Sequence, residues 1–310
     1  MTTTTENSTE DTNKPAEKTK YDELKDAPPK QRIKLSWVGK LGVAIVVFWV
    51  VMAVIGPYIA PFHEADIIGD DSYLPAFSVT EGEGMHLLGT DYLERDIFSR
   101  VIWGARTTIG ISFTATLFAY LIGVTLGIAA AVKGGWTDMI TSRINDAILS
   151  LPTIMLGLLI VVALGTSIPI LIGTASVIYA SSVFRIARAL GQDIMVMDFV
   201  EAAHARGEGV WWIITREVLP NAAMPLATDF GLRLVFVVLF ISSLSFLGLG
   251  IQPPAADWGS MVRQNLEGLG YGSYAAIWPA LAIATFTISI NLIVDDISAK
   301  SGGSLAKKMV

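Results

Sequence analysis

The chain has 310 residues, of which 52% are hydrophobic and only 16% are charged, and its mean hydropathy is +0.55. This composition excludes an ordinary soluble globular protein and is typical of a polytopic membrane protein. The net charge of -6 with scattered basic residues indicates no nucleic-acid-binding face, and the absence of cysteine excludes disulfides, thiolate metal sites and cysteine nucleophiles.

The N-terminal region, residues 1–36, is rich in Thr, Glu, Lys, Asp and Pro and predicts a disordered cytoplasmic tail. The first apolar run covers residues 37–60, too far from the start and too long for the signal-peptide core of about 7 to 15 residues. It predicts a retained first span. The excess of basic residues just before it places the N-terminus inside: Lys30, Arg32, Lys34 and Lys40.

An acidic stretch over residues 61–106 follows and predicts an external loop. In its second half, apolar residues recur at helical spacing and indicate an amphipathic helix at the membrane surface: Leu93, Ile97, Val101 and Ile102. We expect the charges of this helix to have a structural role rather than to contact substrate.

Three further spans are predicted over residues 107–132, 147–166 and 167–190, with a short inside loop over residues 133–144. Pro152 lies near the start of the third span, where its missing backbone donor costs least. The fourth span is rich in small residues, which predicts that it is buried within the bundle. Arg185 and Arg188 mark its cytoplasmic end.

A loop with the sequence MDFVEAAHARGEGVWWIITREVLPN, residues 197–221, follows the fourth span. Asp198 is expected to act as an N-cap with Glu201 as its reciprocal partner, which predicts a short helix. Gly207 and Gly209 end that helix.

A second short helix is predicted over residues 210–218, with three side chains in one stripe and Pro220 at its end: Trp211, Ile214 and Val218. We expect Phe199, Trp211 and Trp212 to be exposed, because the loop is too short to bury them alone, and therefore to be shielded by a partner.

The fifth span is predicted to begin after Pro220 and to end near Leu249, and about 29 residues give about 43 Å of helix, longer than the roughly 30 Å hydrocarbon core. Its start is expected to project, because Asp229 and Arg233 lie there. These two residues share one helix face and are expected to pair. Anchoring of the helix end is the interpretation that we favour, and lining of the substrate path is the alternative.

An external segment separates the fifth span from the sixth and contains Pro253, Pro254, Asp257, Trp258 and Gly259. The sixth span is predicted over residues 274–294. A cytoplasmic C-terminal tail over residues 298–310 completes the chain, so that the membrane domain covers residues 37–297.

The loop over residues 197–221 resembles the EAA signature of permease subunits of bacterial ATP-binding-cassette importers. The pattern is Glu201-Ala202-Ala203, three residues, Gly207, and later Leu219-Pro220. The resemblance implies that this loop is the coupling helix, which sits in a cleft of a partner ATPase, and a cross-linker at Ala203 or Ala205 would then reach that subunit. The alternative is that Glu201 only caps its helix and Gly207 only ends it, and the two roles can coexist.

Two external segments are similar to the dipeptide, oligopeptide and nickel branch of that family. The first carries the pattern Gly89, Thr90, Asp91, Arg95, Asp96, Ser99, Arg100, Gly104, Ala105 and Arg106, and it departs from the branch at Glu94, where glycine is common. The second is the Pro253-Pro254 stretch followed by Trp258-Gly259, which the resemblance places at the outer end of the pathway. The alternative is that Trp258 and Trp278 are ordinary interfacial aromatics, which we favour for Trp278.

The resemblance covers about residues 85–290 and implies an all-α integral membrane protein with six transmembrane helices in the bacterial inner membrane, with both termini cytoplasmic. It implies one of two permease subunits in a heterodimer that provides a path for peptides or similar small solutes. Two cytoplasmic ATP-binding subunits and an extracytoplasmic binding protein would complete the system.

The residues themselves indicate no enzyme, cofactor or metal site. There is no phosphate-binding loop and no Gly-x-Ser-x-Gly elbow, and the three histidines are isolated from one another: His63, His86 and His204. ATP is therefore expected to be hydrolysed by partners. The alternatives are a secondary transporter driven by an ion gradient, which would need an ionisable relay or broken helices near mid-membrane, and a scaffold subunit without transport function.

Overall fold

The computed structural model describes residues 35–68, 71–80 and 84–306, with side chains described as far as residue 300. The predicted N-terminal tail, apart from residues 35 and 36, and the last four residues lie outside this range. The helices, in chain order, are α1 (Trp37–Ile59), α2 (Ile97–Lys133), α3 (Gly135–Leu149), α4 (Thr153–Leu164), α5 (Ile168–Met195), α6 (Asp198–Ala205), α7 (Val210–Phe246), α8 (Trp258–Gln264) and α9 (Ile277–Ala306).

A short antiparallel hairpin, β1 (Ser78–Thr80) and β2 (Gly84–His86), lies between α1 and α2, with Val79 opposite Met85. A 3-10 turn, Glu267–Tyr271, follows α8. Five helices, namely α1, α2, α5, α7 and α9, are each long and apolar enough to cross a membrane, and α3 and α4 together form a bent pair that can count as a sixth. The prediction of an all-α protein with six spans is therefore confirmed, with the bent pair as its third span.

The third span does not have the predicted form of one helix over residues 147–166. The helix α4 has 12 residues and so extends only about 18 Å, less than the roughly 30 Å hydrocarbon core. It meets α3 at 88°, and α3 occupies most of the predicted loop over residues 133–144. The break falls at Ser150–Pro152, because Pro152 has no backbone N–H and restricts the residue before it.

The prediction of a separate amphipathic helix at the membrane surface is wrong. Its residues from Ile97 onward belong to α2, a single helix of 37 residues that continues into the second span. Asp96 caps the start of α2, since its Oδ2 accepts a hydrogen bond from the Ser99 N–H at 2.7 Å. Ile97, Val101 and Ile102 are at most 7% exposed and pack inside the protein rather than on lipid.

Close packing of α2 on α5 forms the centre of the bundle. A Cβ added at Gly123 would lie 2.7 Å from the carbonyl oxygen of Ala180, and one at Gly127 would lie 2.7 Å from that of Phe184. In α5, 61% of the most apolar stretch is buried, against 11% in α1. The prediction that the fourth span is buried in the bundle is confirmed, because glycine and alanine allow the two backbones to approach.

The last helix, α9, begins at Ile277 and continues to Ala306, so residues 298–306 of the predicted tail are helical. It is held against the start of α1 by Asp296. The Oδ2 atom of Asp296 accepts hydrogen bonds from the Ser36 N–H and from Lys300 Nζ, both at 2.8 Å.

Candidate functional site

The turn after α6 is formed by a glycine in the left-handed region. Gly207 has φ +80°, its N–H donates to the His204 carbonyl at 2.9 Å, and the Glu208 N–H donates to the Ala203 carbonyl at 3.2 Å. These two bonds form a Schellman motif, the usual helix ending with glycine at this position. A Cβ at Gly207 would meet nothing within 4 Å, so the backbone conformation, not space, requires glycine.

The start of α6 differs from the prediction. Met197 is the N-cap residue and Asp198 is already the first residue of the helix, with no side-chain hydrogen bond capping the end. The predicted reciprocal capping by Asp198 and Glu201 is therefore wrong. Both acidic side chains lie in the first turn, where they complement the helix dipole.

One face of α6 is buried and the other is exposed. Val200 and Ala203 are fully buried in a cluster that includes Ala187 of α5 and Val218 of α7. Glu201, Ala202 and Ala205 are exposed. The buried face of α6 thus packs against α5 and α7, and the face that carries Glu201 is exposed.

The predicted second short helix is the first part of α7 and does not end at Pro220. An α-helical turn, Val210–Trp212, is followed by π-helical turns, Ile213–Val218, and then by the α-helix Leu219–Phe246. The Leu219 N–H bonds to the carbonyl of Ile214, five residues back. Pro220 lies in the first turn of the α-helical part, where its missing N–H is tolerated.

The π-helical turns also change which side chains share a face. Ile213 and Val218 are fully buried, whereas Trp211 is 76% exposed. The predicted stripe of Trp211, Ile214 and Val218 is therefore wrong, because the spacing of three and four residues holds only for an α-helix.

An apolar face is exposed where α6 and α7 meet, and we call it the loop face. It consists of Phe199, Val210 and Trp211, which are exposed by 40%, 42% and 76%. Leu219, which is 40% exposed, lines a groove between α2 and α7 instead. Trp212, which was expected to be exposed, is half-buried and packs on the buried cluster beneath α6. Its ring centre lies 5.7 Å from the guanidinium carbon of Arg206.

Asp229 and Arg233 form the expected ion pair, with Arg233 Nε 3.2 Å from Asp229 Oδ1. The Tyr120 hydroxyl of α2 donates to Asp229 Oδ2 at 2.5 Å. The pair lies near the middle of α7 rather than in a projecting start, because α7 begins at Val210. Asp229 is only 7% exposed. Sequence reasoning missed Tyr120, since nothing in the local pattern links positions 109 residues apart.

The charged pattern before α2 forms a buried network. Asp91 Oδ2 lies 2.7 Å from Arg95 Nη2 and 3.4 Å from Arg100 Nε, and all three side chains are at most 4% exposed. The ring nitrogens of buried His86 each lie 3.1 Å from an oxygen, of Thr80 on one side and Asp96 on the other. The buried charges of this pattern therefore have the expected structural role, whereas Arg106 is exposed.

The Pro253-Pro254 stretch and the Trp258-Gly259 pair lie in different environments. The two prolines, joined by a cis peptide bond, are exposed. Trp258 is fully buried, its Nε1–H donates to the Val101 carbonyl at 2.9 Å, and its ring packs on Trp49. The alternative that Trp258 is an interfacial aromatic is wrong, because it is a core residue of α8 that packs against α1 and α2.

Asp257 caps α8 from a completely buried position. Its Oδ1 accepts from the Thr108 hydroxyl at 2.9 Å and its Oδ2 accepts from the Ser260 N–H at 2.9 Å. Burial raises the pKa of this carboxyl above its ordinary value, and the hydrogen bonds lower it only in part.

Comparison with known proteins identifies the family. The family described as binding-protein-dependent transport system inner membrane component matches residues 123–299, more than half of the chain. The chain belongs to this family. The matched range includes the loop face, the Asp229–Arg233 pair and the Trp258-Gly259 pair.

Curated relatives match the permease over most of its length. It is 33% identical to the glutathione transport system permease protein GsiD of Pectobacterium atrosepticum, over 73% of this chain and 75% of the relative. It is 28% identical to the dipeptide transport system permease protein DppC of Alkalihalophilus pseudofirmus, over 86% of this chain and 85% of the relative. The fold also resembles an inward-facing structure of the MetNI methionine ABC transporter, with a TM-score of 0.53, 18% identity, and coverage of 64% of this chain and 95% of that one.

These findings confirm the predicted class. The permease is a multi-pass, inner-membrane subunit of an ATP-binding-cassette importer. It is not itself an ATPase, because in this family ATP is hydrolysed by separate subunits. Membership also implies, in general terms, a partner permease, ATPases and a binding protein.

Proposed function

We propose that this permease forms a heterodimer with a second permease subunit and that the pair carries peptides or similar small solutes into the cell. Two cytoplasmic ATP-binding subunits drive the pair, and an extracytoplasmic binding protein delivers the solute. The names of the glutathione and dipeptide relatives support this substrate class.

The loop face carries the proposal. Its apolar side chains are exposed in the isolated chain, although Val200 and Ala203 directly beneath are fully buried. An exposed apolar surface on a well-packed segment, here with Trp211 at 76% exposure, is typical of a surface that a partner protein covers. We infer that an ATP-binding subunit covers it.

The signature residues divide into two roles in this proposal. Glu201 and Ala202, which are exposed, contact the ATP-binding subunit, together with Leu219 and Pro220 of α7. Ala203 and Gly207 position these contacts, Ala203 by its burial and Gly207 by its turn.

The Asp229–Arg233 pair acts as an anchor between α2 and α7 in this proposal. Both carboxylate oxygens of Asp229 accept hydrogen bonds, one from Arg233 and one from Tyr120. A buried carboxylate whose partners are all in place is expected to hold the two helices together, because removal of either partner would leave an uncompensated charge. Lining of the substrate path is the second candidate role for this pair.

The exposed Pro253 and Pro254 form the outer end of the pathway, and Trp258 and Gly259 hold that segment on the bundle. The basic residues before α1 favour a cytoplasmic N-terminus. An even number of spans then places the C-terminus on the same side.

Transport measurements in vesicles that contain the full complex test the proposal. Uptake of a labelled dipeptide and of glutathione is measured with ATP supplied on the ATPase side, with a non-hydrolysable analogue in its place, and with a proton gradient alone. We expect uptake only with ATP. Uptake that follows the proton gradient would support a secondary transporter, and the absence of any solute flux would support a scaffold.

A further inference from the structure

Two depressions adjoin between α2, α3 and α5. One is an apolar groove of about 230 Å³, lined by Ile122, Leu126, Ile144, Ile148, Val177 and Phe184. The other is a polar pocket of about 470 Å³, lined by the charged residues Asp138, Arg143, Asp146, Arg185 and Arg188. Asn145 and Phe184 line both, so the polar pocket opens onto the end of the groove.

The groove is narrow at its floor and open at its side. At the floor, Gly123 lets α2 approach α5, with only 2.7 Å between an added Cβ and the Ala180 carbonyl oxygen. At the side, Ile144 of α3 and Val177 of α5 remain 58% and 48% exposed. These two exposed apolar side chains leave the groove open at its side.

The polar pocket has an excess of positive charge. Its three arginines face two aspartates, which leaves one net positive charge. Arg188 is neutralised by Asp138, to which it donates from Nη2 at 2.6 Å. Among the described residues, Arg143 and Arg185 have no carboxylate within ion-pair distance, and both side chains are exposed. Two free guanidinium groups can bind a phosphate through paired N–H donors.

Asn145 lies at the junction of the two depressions and has a side-chain amide nitrogen that no described residue satisfies. The residue is 6% exposed, and its Nδ2 is buried with no hydrogen-bond partner among the described residues. A buried amide donor without an acceptor is unfavourable, and native structures rarely leave one unpaired. The residue is therefore placed to contact a molecule that occupies both depressions.

We propose that this composite site binds an anionic phospholipid. The phosphate lies between Arg143 and Arg185 next to Asn145, and one acyl chain follows the groove along Ile144 and Val177. The positive charge selects an anionic lipid over a zwitterionic one, and the groove selects a lipid over a soluble phosphate. Such a lipid would brace α3 against α5 next to the bent span. The proposal does not depend on the role of the loop face.

Native mass spectrometry of the permease, purified at full length with its partner subunits, tests the proposal. Retention of dioleoylphosphatidylglycerol is compared with that of dioleoylphosphatidylcholine for the unchanged chain and for Arg143→Gln/Arg185→Gln. The matched control is Arg206→Gln/Arg216→Gln, which removes the same charge from exposed arginines outside the pocket. Asn145→Leu removes the amide without changing the charge.

We expect the unchanged chain and the control to retain phosphatidylglycerol about tenfold more strongly than phosphatidylcholine. Arg143→Gln/Arg185→Gln should lose that preference, and Asn145→Leu should weaken it. Equal retention by Arg143→Gln/Arg185→Gln and the unchanged chain would overturn the proposal. So would displacement of the lipid by millimolar inorganic phosphate, which would indicate a soluble-anion site. Capture of a protein subunit, rather than lipid, by a photoreactive group on Ser142→Cys would show that the groove is a subunit interface and would likewise overturn it.

Discussion

Tyr120 of α2 donates a hydrogen bond to Asp229 Oδ2 of α7, so the Asp229–Arg233 pair links two spans rather than stabilising one helix alone. Removal of one member leaves the other buried and unpaired, which costs more than the pair itself contributes. The behaviour of single and double variants can therefore separate an anchor from a pathway residue.

The first prediction concerns this pair. Asp229→Asn and Arg233→Gln, each alone, should lower the amount of folded permease in the membrane, and the double variant should restore much of it. Tyr120→Phe should have a smaller effect, because it removes one hydrogen bond and leaves the ion pair. Folded protein is measured by size-exclusion chromatography in detergent, alongside uptake. Restored abundance without restored uptake would favour the pathway role, and single variants that change neither abundance nor uptake would contradict both roles.

The second prediction concerns the turn after α6. Gly207→Ala places a side chain at φ +80°, at a cost of about 1–2 kcal/mol. It should leave the permease in the membrane but lower both uptake and the stimulation of ATP hydrolysis. Gly209→Ala is the matched control, since Gly209 has an ordinary φ of -76° and equally open surroundings. Equal activities of the two variants would show that the turn geometry is not needed for coupling.

The third prediction concerns the close packing of α8 against α7. A Cβ at Gly259 would lie 2.4 Å from the Ser242 carbonyl oxygen, whereas one at Gly270 would meet nothing within 4 Å. Gly259→Ala should lower stability by about 1–3 kcal/mol, as overpacking does, and Gly270→Ala should be neutral. Thermal unfolding in detergent measures the difference. If both variants unfold at the same temperature, α8 is not held as tightly as the structure indicates.

The fourth prediction concerns the pH dependence of stability at Asp257. Burial raises the pKa of its carboxyl, so its contribution to stability is fully present below the unfolded-state pKa and is lost as the pH rises through the folded-state pKa. Asp257→Asn does not titrate. The unfolding temperature of the unchanged chain minus that of Asp257→Asn should therefore fall as the pH rises above the ordinary aspartate pKa of about 4.

The control for this experiment is Asp71→Asn, which removes a charge from an exposed position. The unfolding temperature of the unchanged chain minus that of Asp71→Asn should not fall in this way as the pH rises. A difference at Asp257 that stays constant across the pH range would contradict the assignment of a raised pKa.

The number of spans could be predicted from the sequence, because hydropathy depends on local composition. The shape of those spans could not. Pro152 accounts for a break once it is seen, but the same proline is equally compatible with the start of one straight helix, and no local pattern marks the π-helical turns over Ile213–Val218. Trp258 shows the same limit, since an aromatic residue beside a span is indistinguishable in sequence from one in the core.

The candidate site was predicted in part. Gly207 and the exposure of Phe199 and Trp211 follow from local patterns, whereas Tyr120 and the burial of Ala203 need the folded chain. Glu94 is instructive, because the structure gives it φ +61°. A left-handed conformation explains why glycine is common at this position in the peptide-importer branch.

The central claim is that the loop face docks on an ATP-binding subunit, and cross-linking at Ala205 tests it most directly. The chain has no cysteine, so Ala205→Cys introduces a single exposed thiol for a photoreactive benzophenone label, whereas Ala203 is fully buried and unsuitable. Tyr271→Cys, at an 81% exposed position in the segment after α8, is the control. We predict that the label at Ala205 captures the ATP-binding subunit in the assembled complex and that the label at Tyr271 does not. Capture of only lipid or this same chain from Ala205 would contradict the account.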